Sequence, residues 1–499
     1  MPPNCLPPCG ETRLDQFIPS TLFRGSFDMK LGLCWLLLLT VAQVEQSPAQ
    51  TVEQLNVGFA EIDVTPELTV DRPVWIAGYG QNRRATGVHD PLMARAVVLT
   101  QGKTKIALAS VDLIGLQYPT VLQIREKLPD FSYVMVSSTH NHEGPDTIGL
   151  WGKTPLSSGV DPEYLALVVD RVAKAIQQAD ATATPASADY GAAEDETLLG
   201  DSRLPKVYDG MLRAISFKRA DDGERLGLLV QWNCHPESMG SKNTLLTADF
   251  PYATVAALHE RYQCPVAYFT GAVGGLMAPP DDRIKNAQGE FLKEGDFEYA
   301  RVYGEEVAAL AVQALKSAKP IELSPMRISA RPIAVPLENA LYHAARALGV
   351  LKREGRTWSG DFQNLGEPLA AKDKSSEMAV ETEVAYLKLG ELDVACIPGE
   401  LYPELVYGQY QEPADPAADY AETALEPPVV QTLPGKKWLL FGLANDEIGY
   451  IIPKRQWDEK PPYAYGRKNK QYGEVNSVGP EAAPILMRAL ELRVEEIGK

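Results

Sequence analysis

The feature that most constrains this chain is a pair of histidines, His140 and His142, at the end of the apolar run 133–136. The run has the composition of a buried strand, and the Gly144-Pro145 pair that follows ends it. On a strand, residues two positions apart project from one face, so both imidazoles are expected to point beyond the carboxyl end of the strand. Two adjacent imidazoles favour a metal site, although a His-x-His pair alone is a weak signal because exposed loop histidines are common.

Composition narrows the class of protein. With 499 residues, 45% of them hydrophobic and 23% charged, the chain has ordinary globular composition and room for a large core. The net charge is -18 and no basic stripe is present, so a nucleic acid is not expected as a partner, because its phosphates attract clustered Lys and Arg.

The amino-terminal region has the pattern of a secretion signal. Met29-Lys30 precede the apolar stretch 31–41, which is too short to span a membrane. A secreted or periplasmic protein is therefore expected, with no transmembrane span in the mature chain. The predicted division is a disordered extension or mis-assigned start over 1–28, a signal peptide over 29–49 and a single domain over 50–499.

Three cysteines fall within the predicted mature chain, Cys234, Cys264 and Cys396. This number is odd and small, so at most one disulfide is expected. No Cys-x-x-Cys pair occurs among them, which argues against a thiolate-rich structural zinc site.

Strand and helix patterns alternate along the chain. Apolar strands at 94–99 and 106–112 form a predicted hairpin, a helix at 119–128 follows, and 161–179 has helical spacing with Asp161 as its N-cap. This order predicts an α/β fold, with mixed β-sheets and flanking helices in one large domain. The segment 337–376 begins as a helix and then loses its pattern, which fits either a lid or a surface excursion.

Further candidate ligands follow other predicted strands. The apolar strand 226–234 ends in His235, and the strand 392–397 is followed by Pro398-Gly399-Glu400. The carboxyl ends of strands are where α/β folds build their sites. We therefore expect a metal site at the carboxyl ends of these strands.

The order of several motifs is more specific than any one of them. The motifs are Gly58-Phe59-Ala60-Glu61-Ile62-Asp63-Val64-Thr65-Pro66, Thr86-Gly87-Val88-His89-Asp90, Thr139-His140-Asn141-His142-Glu143-Gly144-Pro145, Ile397-Pro398-Gly399-Glu400, and Gly442-Leu443-Ala444-Asn445 before Tyr450. Over roughly residues 55–498 the chain resembles the neutral/alkaline, non-lysosomal ceramidase family.

The resemblance implies a zinc amidase that cleaves the amide bond of an N-acylsphingosine. Matched motif by motif, it implies zinc ligands at His140, His235, Glu400 and Tyr450, the match for His235 resting on order and strand context. It also implies catalytic roles for His142, Arg203 and Tyr450. Asp249 and Asp112 could accept hydrogen bonds from the ligands and so orient them. The simpler interpretation is that each is a helix cap or a loop carboxylate.

The chemistry of these residue types suits hydrolysis. Two neutral imidazoles and a carboxylate leave zinc a position for water, whose pKa the metal lowers towards about 7. The zinc-bound hydroxide is expected to attack an amide or ester carbonyl. His142 would move protons, and Arg203 or Tyr450 would stabilise the oxyanion.

The chain also departs from the family. Where the family has a glycine loop with a serine required for ceramide cleavage, this chain has Gly274-Gly275-Leu276-Met277-Ala278-Pro279, without the serine. The stretch after Tyr450 is shorter than the family's immunoglobulin-like C-terminal domain, so a bacterial-type member without that domain is expected.

The leading hypothesis is a zinc-dependent, ceramidase-like hydrolase of an amide or ester in a lipid-like or other N-acyl substrate. One alternative is a genuine N-acylsphingosine amidohydrolase that works without the loop serine. Another is a catalytically inactive lipid- or glycan-binding module of the same fold. The expected partner is a small-molecule or lipid substrate. Peripheral contact with a membrane is compatible with the sequence, which does not predict an oligomeric state.

Overall fold

The computed structural model describes residues 53–370, 373 and 377–498. The predicted extension and signal peptide lie outside the described residues, so the division of the chain at 28 and 49 stays a prediction. No described helix combines the length and the apolar character that crossing a bilayer requires. Cys234, Cys264 and Cys396 are all buried and form no disulfide.

The larger of two main sheets contains nine strands within the described residues. They are β1 (Leu55–Asp63), β3 (Met93–Gln101), β4 (Thr104–Val111), β5 (Tyr133–Ser138), β6 (Thr184–Glu194), β8 (Met211–Arg219), β9 (Arg225–Trp232), β11 (Val266–Thr270) and β13 (Lys319–Ile321). Their order is β11-β9-β8-β6-β1-β3-β4-β5, with β13 beside β6. Most pairs are antiparallel, whereas β4 with β5 and β9 with β11 are parallel.

The second sheet is formed by later strands. They are β14 (Met326–Pro336), β15 (Gly355–Thr357), β16 (Pro368–Leu369), β17 (Met378–Leu389), β18 (Leu392–Cys396) and β20 (Lys437–Phe441). Short strands pair locally as β2 (Gly87–Val88) with β10 (Leu245–Leu246), β7 (Gly200–Asp201) with β12 (Met277–Ala278), and β19 (Glu400–Leu401) with β21 (Tyr450–Ile451). The parallel pair β18 and β20 lies at one end of this sheet.

Helices cover the outer faces of the sheets. They are α1 (Tyr118–Glu126), α2 (Pro162–Ala181), α3 (Phe250–Tyr262), α4 (Phe297–Ser317), α5 (Ala340–Ala347), α6 (Pro403–Tyr407), α7 (Val429–Thr432) and α8 (Ala482–Gly498). The predicted cap of α2 is confirmed, since the Asp161 carboxylate accepts hydrogen bonds from the backbone N–H groups of Glu163 and Tyr164.

The two sheets face each other across one apolar layer. Val97 and Phe269 of the larger sheet share a buried cluster with Val394 and Phe441 of the second. Helices α1 to α4 pack on the far side of the larger sheet, and α8 packs on the far side of the second. Each fully buried large apolar side chain contributes about 1.5–3 kcal/mol, so this layer holds the sheets in a fixed relation. The α/β fold with mixed sheets and flanking helices is confirmed.

Strand ends of both sheets meet at one edge. The Asn445 N–H, just after β20, donates to the carbonyl of Val136 in β5 at 2.7 Å, and the Gly442 N–H donates to the carbonyl of Thr270 in β11 at 3.0 Å. A Cβ at Gly442 would lie 2.2 Å from the Gly271 carbonyl oxygen, so only glycine permits this approach. Residues that follow these strands are therefore brought together.

Strand β14 is the main element that the sequence pattern missed. It carries Pro332 in its middle, which argues against a central strand. Among the described strands it pairs only with β17, and an edge strand tolerates proline because one side of its backbone makes no ladder hydrogen bonds.

Candidate metal centre

Three buried histidines converge at this edge. The ligand-capable nitrogens of His140, His142 and His235 lie within 4.8 Å of one another. The Glu400 Oε2 atom lies 2.9 Å from His235 Nε2 and 3.4 Å from His140 Nε2. Residues separated by up to 260 positions thus form one group of donors that can hold a metal ion.

Backbone carbonyl groups fix the orientation of two of the imidazoles. His140 Nδ1 lies 2.7 Å from the carbonyl oxygen of Ile114, and His235 Nδ1 lies 2.8 Å from that of Met277. A carbonyl only accepts, so each Nδ1 carries the proton and each Nε2 presents a lone pair to Glu400. Lone pairs facing a carboxylate require a cation between them, which fits a metal with nitrogen and oxygen ligands.

Charge within the group shows the same requirement. Burial lowers the pKa of His140, but the Glu400 carboxylate outweighs burial and raises that pKa to about 9. Burial raises the pKa of Glu400, yet His140 and His235 hold it well below its usual range. The group thus binds a positive charge, as a proton or as a metal ion.

The backbone at His140 corrects one prediction. Strand β5 ends at Ser138, and His140 has a φ of 66°, a left-handed conformation that non-glycine residues rarely adopt. The rule that side chains two positions apart share a face of a strand does not apply there. His140 and His142 still converge, with ring centroids 5.0 Å apart, because a turn after the strand brings them together. Such strained residues cluster at functional sites.

His142 differs from the other two histidines. Neither of its ring nitrogens has a hydrogen-bond partner among the described residues, and Glu237 Oε2 is 3.4 Å from Nδ1. Burial and the charges of His140 and His235 lower its pKa well below 6.5. A neutral imidazole with a free lone pair beside the donor group suits proton transfer.

Glycine and arginine contacts hold His142 in place. Gly78 has a φ of 95°, and a Cβ there would lie 2.4 Å from His142 Cγ, so the backbone packs directly on the imidazole. Arg83 Nη1 donates to the His142 carbonyl at 3.2 Å, and Nη2 donates to Glu143 at 2.6 Å. No local sequence pattern marks Arg83, because its contacts are with residues about 60 positions away in the chain.

Tyr450 lies beside the donor group. In the parallel pair β19 and β21 it is opposite Glu400, and its ring centroid is 6.5 Å from that of His235. Burial raises the pKa of Tyr450 well above 10, and the nearby Glu400 carboxylate adds to the effect. Its hydroxyl therefore stays protonated at neutral pH.

Arg203 lies farther from the histidines. Its Nη1 and Nη2 atoms donate to the Glu474 carboxylate at 2.9 and 2.8 Å, and its guanidinium lies 5.3 Å from the centre of the Tyr402 ring. The Tyr402 ring in turn contacts Tyr450, with centroids 6.2 Å apart. The contacts show Arg203 as a support for Tyr402, and its catalytic role stays a prediction.

Asp249 acts as a helix cap, and Asp112 is the partner of a buried arginine. Asp249 accepts from the Phe250 N–H at 2.5 Å as the cap of α3. Asp112 forms a buried ion pair with Arg95 at 2.7 Å. Met277, in the loop that lacks the family serine, is fully buried, and its backbone carbonyl holds His235.

His140, His142, Glu400 and Tyr450 line a largely apolar cleft. Ile114, Ile148, Trp151 and Ile448 line it around His140 and Glu400. Residues from the segment 337–376 also line it, among them Leu337, Tyr342 and Leu351. This segment therefore forms a wall of the cleft. A wider groove, with Leu156, Leu341 and Leu348 exposed along it, shares His142 and Tyr450 with the cleft.

The chain is similar to known proteins in part of its sequence and in its fold. No protein-family profile matches the chain. A neutral ceramidase of Mycobacterium tuberculosis (strain ATCC 25618 / H37Rv) is 25% identical over 271 residues, which cover 48% of this chain and 42% of the relative. The chain thus matches less than half the length of that protein.

Two solved structures share the fold. A neutral ceramidase from Pseudomonas aeruginosa superposes with a TM-score of 0.66 at 17% identity, covering 89% of this chain and 74% of that one. A ceramidase complexed with C2 gives a TM-score of 0.64 at 17% identity, covering 89% and 75%.

Proposed function

We propose that this chain, which belongs to the neutral ceramidase family, is a zinc-dependent hydrolase of amide or ester bonds in lipid-like N-acyl substrates. The observation that carries the proposal is the convergence of the three histidines and Glu400 beside an apolar cleft, which His140, His142 and Glu400 line. Such a cleft places a long acyl chain beside a hydrolytic centre, which a purely structural metal site does not need.

The donor set fits zinc. Zinc accepts imidazole nitrogen and carboxylate oxygen, and a catalytic site keeps a position open for water. We assign His140, His235, Glu400 and Tyr450 as its ligands. When bound, zinc supplies Lewis acidity that activates water and polarises a carbonyl group.

Residues of the chain supply the remaining chemistry. His142, neutral and unpaired, takes a proton from water and returns it to the leaving amine or alcohol. Tyr450, which lies opposite Glu400, stabilises the charge that develops on the carbonyl oxygen. Gly78 and Tyr79 close over His142 and exclude bulk water from this side.

Lipid-like substrates fit the surface around the cleft. Leu156, Leu341 and Leu348 are 71%, 64% and 61% exposed along the wider groove. Apolar residues grouped at the mouth of a site favour a lipid chain and peripheral contact with a lipid surface. A secreted or periplasmic location is part of this proposal.

The test starts with metal analysis of the chain from residue 50. We expect one zinc per chain, absent from His140→Ala and from Glu400→Ala. His259→Ala is the matched control, because His259 is exposed on α3 and bonds only the Cys264 carbonyl. No zinc in the unmutated, folded protein would contradict the enzyme proposal.

A substrate panel follows, with ceramides, other N-acyl amines and esters. Hydrolysis of simple N-acyl amines that is lost in His142→Ala supports the proposal. Turnover confined to ceramide would identify a genuine N-acylsphingosine amidohydrolase that works without the loop serine. A zinc-loaded protein that binds these compounds and turns over none would be a binding module.

A further inference from the structure

Glu447 is a cleft residue that the proposed chemistry does not use. It lies in the loop between β20 and β21 and lines the cleft with His140 and Glu400. Its Oε1 atom accepts from the Gly449 N–H at 2.8 Å. Its Oε2 atom is buried and has no hydrogen-bond partner among the described residues.

Neighbouring carboxylates are paired in a way that Glu447 is not. The adjacent Asp446 receives two hydrogen bonds from Arg353, one of them at 2.7 Å. Glu143 is likewise paired with Arg83. Across the part of the chain that the structure describes, no ion pair to Glu447 is found. A buried acceptor without a donor is unfavourable, and a donor supplied by a ligand removes that cost.

The position of Glu447 is tied to that of His140. A Cβ at Gly115 would lie 2.7 Å from Glu447 Cβ, so the backbone at 115 packs directly on this side chain. The preceding residue, Ile114, holds His140 through its carbonyl at 2.7 Å. One short backbone segment therefore fixes both the ligand histidine and the unpaired carboxyl group.

We propose that Glu447 determines specificity by accepting a hydrogen bond from a hydroxyl or ammonium group of the substrate, next to the bond that is cleaved. This inference rests on the proposed function for the identity of the site. An ionised carboxylate of a substrate only accepts hydrogen bonds, so it would leave the Oε2 atom of Glu447 without a donor. The preferred substrates are N-acyl amines and N-acyl amino alcohols, and N-acyl amino acids are rejected.

The first test measures binding and needs no turnover. The zinc-loaded protein is titrated calorimetrically with octylamine, 1-octanol and octanoate, which share one apolar chain. We expect octylamine and 1-octanol to bind at least about tenfold more tightly than octanoate. Equal or tighter binding of octanoate by the unmutated protein would overturn the proposal, whatever any variant does.

Variants of Glu447 then test whether this residue causes the preference for octylamine over octanoate. Glu447→Gln keeps the shape and the acceptor for the Gly449 N–H, and is expected to weaken octylamine binding about tenfold while octanoate binding strengthens. Glu126→Gln, an exposed glutamate on α1, is the matched control. Unchanged octylamine binding in a folded Glu447→Gln protein would refute the assignment, and Glu447→Met provides a second substitution.

A kinetic comparison separates this inference from the proposed function. The ratio of kcat/KM for an N-acyl amino alcohol to that for the N-acyl glycine of the same acyl length is expected to fall about tenfold in Glu447→Gln. Hydrolysis of both substrates at an unchanged ratio would overturn the role of Glu447 alone. Absence of hydrolysis with the binding preference retained would overturn the hydrolase and leave the recognition role.

Discussion

The Nε2 atom of His235 lies 2.9 Å from the Oε2 atom of Glu400, although 165 residues separate them in the chain. His235 follows a strand of the larger sheet, and Glu400 follows a strand of the second. The donor group is therefore built across the junction of two sheets, and each sheet alone holds only part of it.

Replacing the carboxylate tests this junction directly. Glu400→Gln removes the negative charge opposite two imidazoles, so zinc affinity is expected to fall by more than the roughly 10–100-fold that loss of an outer partner causes. Competition with a chromogenic chelator measures the affinity. An affinity within about twofold of that of the unmutated protein would show that Glu400 is not a ligand.

Gly78→Ala tests the packing over His142. The added Cβ would meet the imidazole at 2.4 Å, and the φ of 95° is itself unfavourable for alanine. We expect zinc content to be retained and kcat to fall at least about tenfold, because His142 must move. Gly80→Ala is the control, since no atom lies within 4 Å of its added Cβ. Equal activity in both variants would contradict the positioning role.

Met277→Ala separates stability from metal binding. The side chain is fully buried, so the free energy of unfolding should fall by about 2–5 kcal/mol, as for other large-to-small core substitutions. The backbone carbonyl that holds His235 remains, so zinc content should not change. Urea unfolding and metal analysis measure the two quantities. Loss of zinc from the folded variant would mean that the side chain itself maintains the site.

Glu404 gives a prediction for pH. Burial raises its pKa from 4.5 to about 7, and the side chain is only 2% exposed. Between these values the folded protein binds more protons than the unfolded chain, so the free energy of unfolding falls as pH rises from about 4.5 to about 7. At about 1.36 kcal/mol per unit of pKa shift, the loss totals roughly 3 kcal/mol.

Glu404→Gln is expected to remove this dependence, because an amide resembles the protonated acid. Urea unfolding at pH 4.5 should give similar stabilities for the variant and the unmutated protein, and at pH 8 the variant should be more stable. A variant less stable than the unmutated protein at pH 8 would show that the ionised carboxylate is favourable in the fold.

Two variants distinguish a structural role of Arg203, in contact with Tyr402 and Glu474, from a catalytic role. Arg203→Met leaves Glu474 buried without its partner, which should lower the free energy of unfolding by about 3–5 kcal/mol. The double variant Arg203→Met/Glu474→Met removes both charges and is expected to recover most of that loss. If kcat remains near that of the unmutated protein in the double variant, Arg203 is not catalytic. A folded double variant without activity would restore the catalytic interpretation.

Sequence reasoning singled out the donor group but not what orients it. Strand-end position and motif order singled out His140, His235 and Glu400, because strands and turns leave local patterns. The carbonyl groups of Ile114 and Met277 that set the tautomers are backbone atoms, so no residue type marks them. Their positions depend on tertiary packing between segments that are far apart in sequence.

The same limit explains the residues that were missed. Glu447 lies between the motif 442–445 and Tyr450, yet its unpaired oxygen becomes visible only when every neighbouring donor is known. Nothing in the sequence around Gly78 indicates its direct contact with His142. Local sequence patterns predict helices and strands. Whether a side chain has a hydrogen-bond partner depends on the folded chain.

The placement of the donors on two sheets also bears on the order of folding. Closing a contact over 165 residues carries a large entropic cost, so the histidines and Glu400 meet late, after each sheet has formed its local pairs. If the donor group holds a metal ion as proposed, a chain in which the second sheet has not docked would present imidazoles without the carboxylate and would bind the metal weakly. Metal capture then acts as a check on completed folding, and it selectively stabilises molecules that have passed that check.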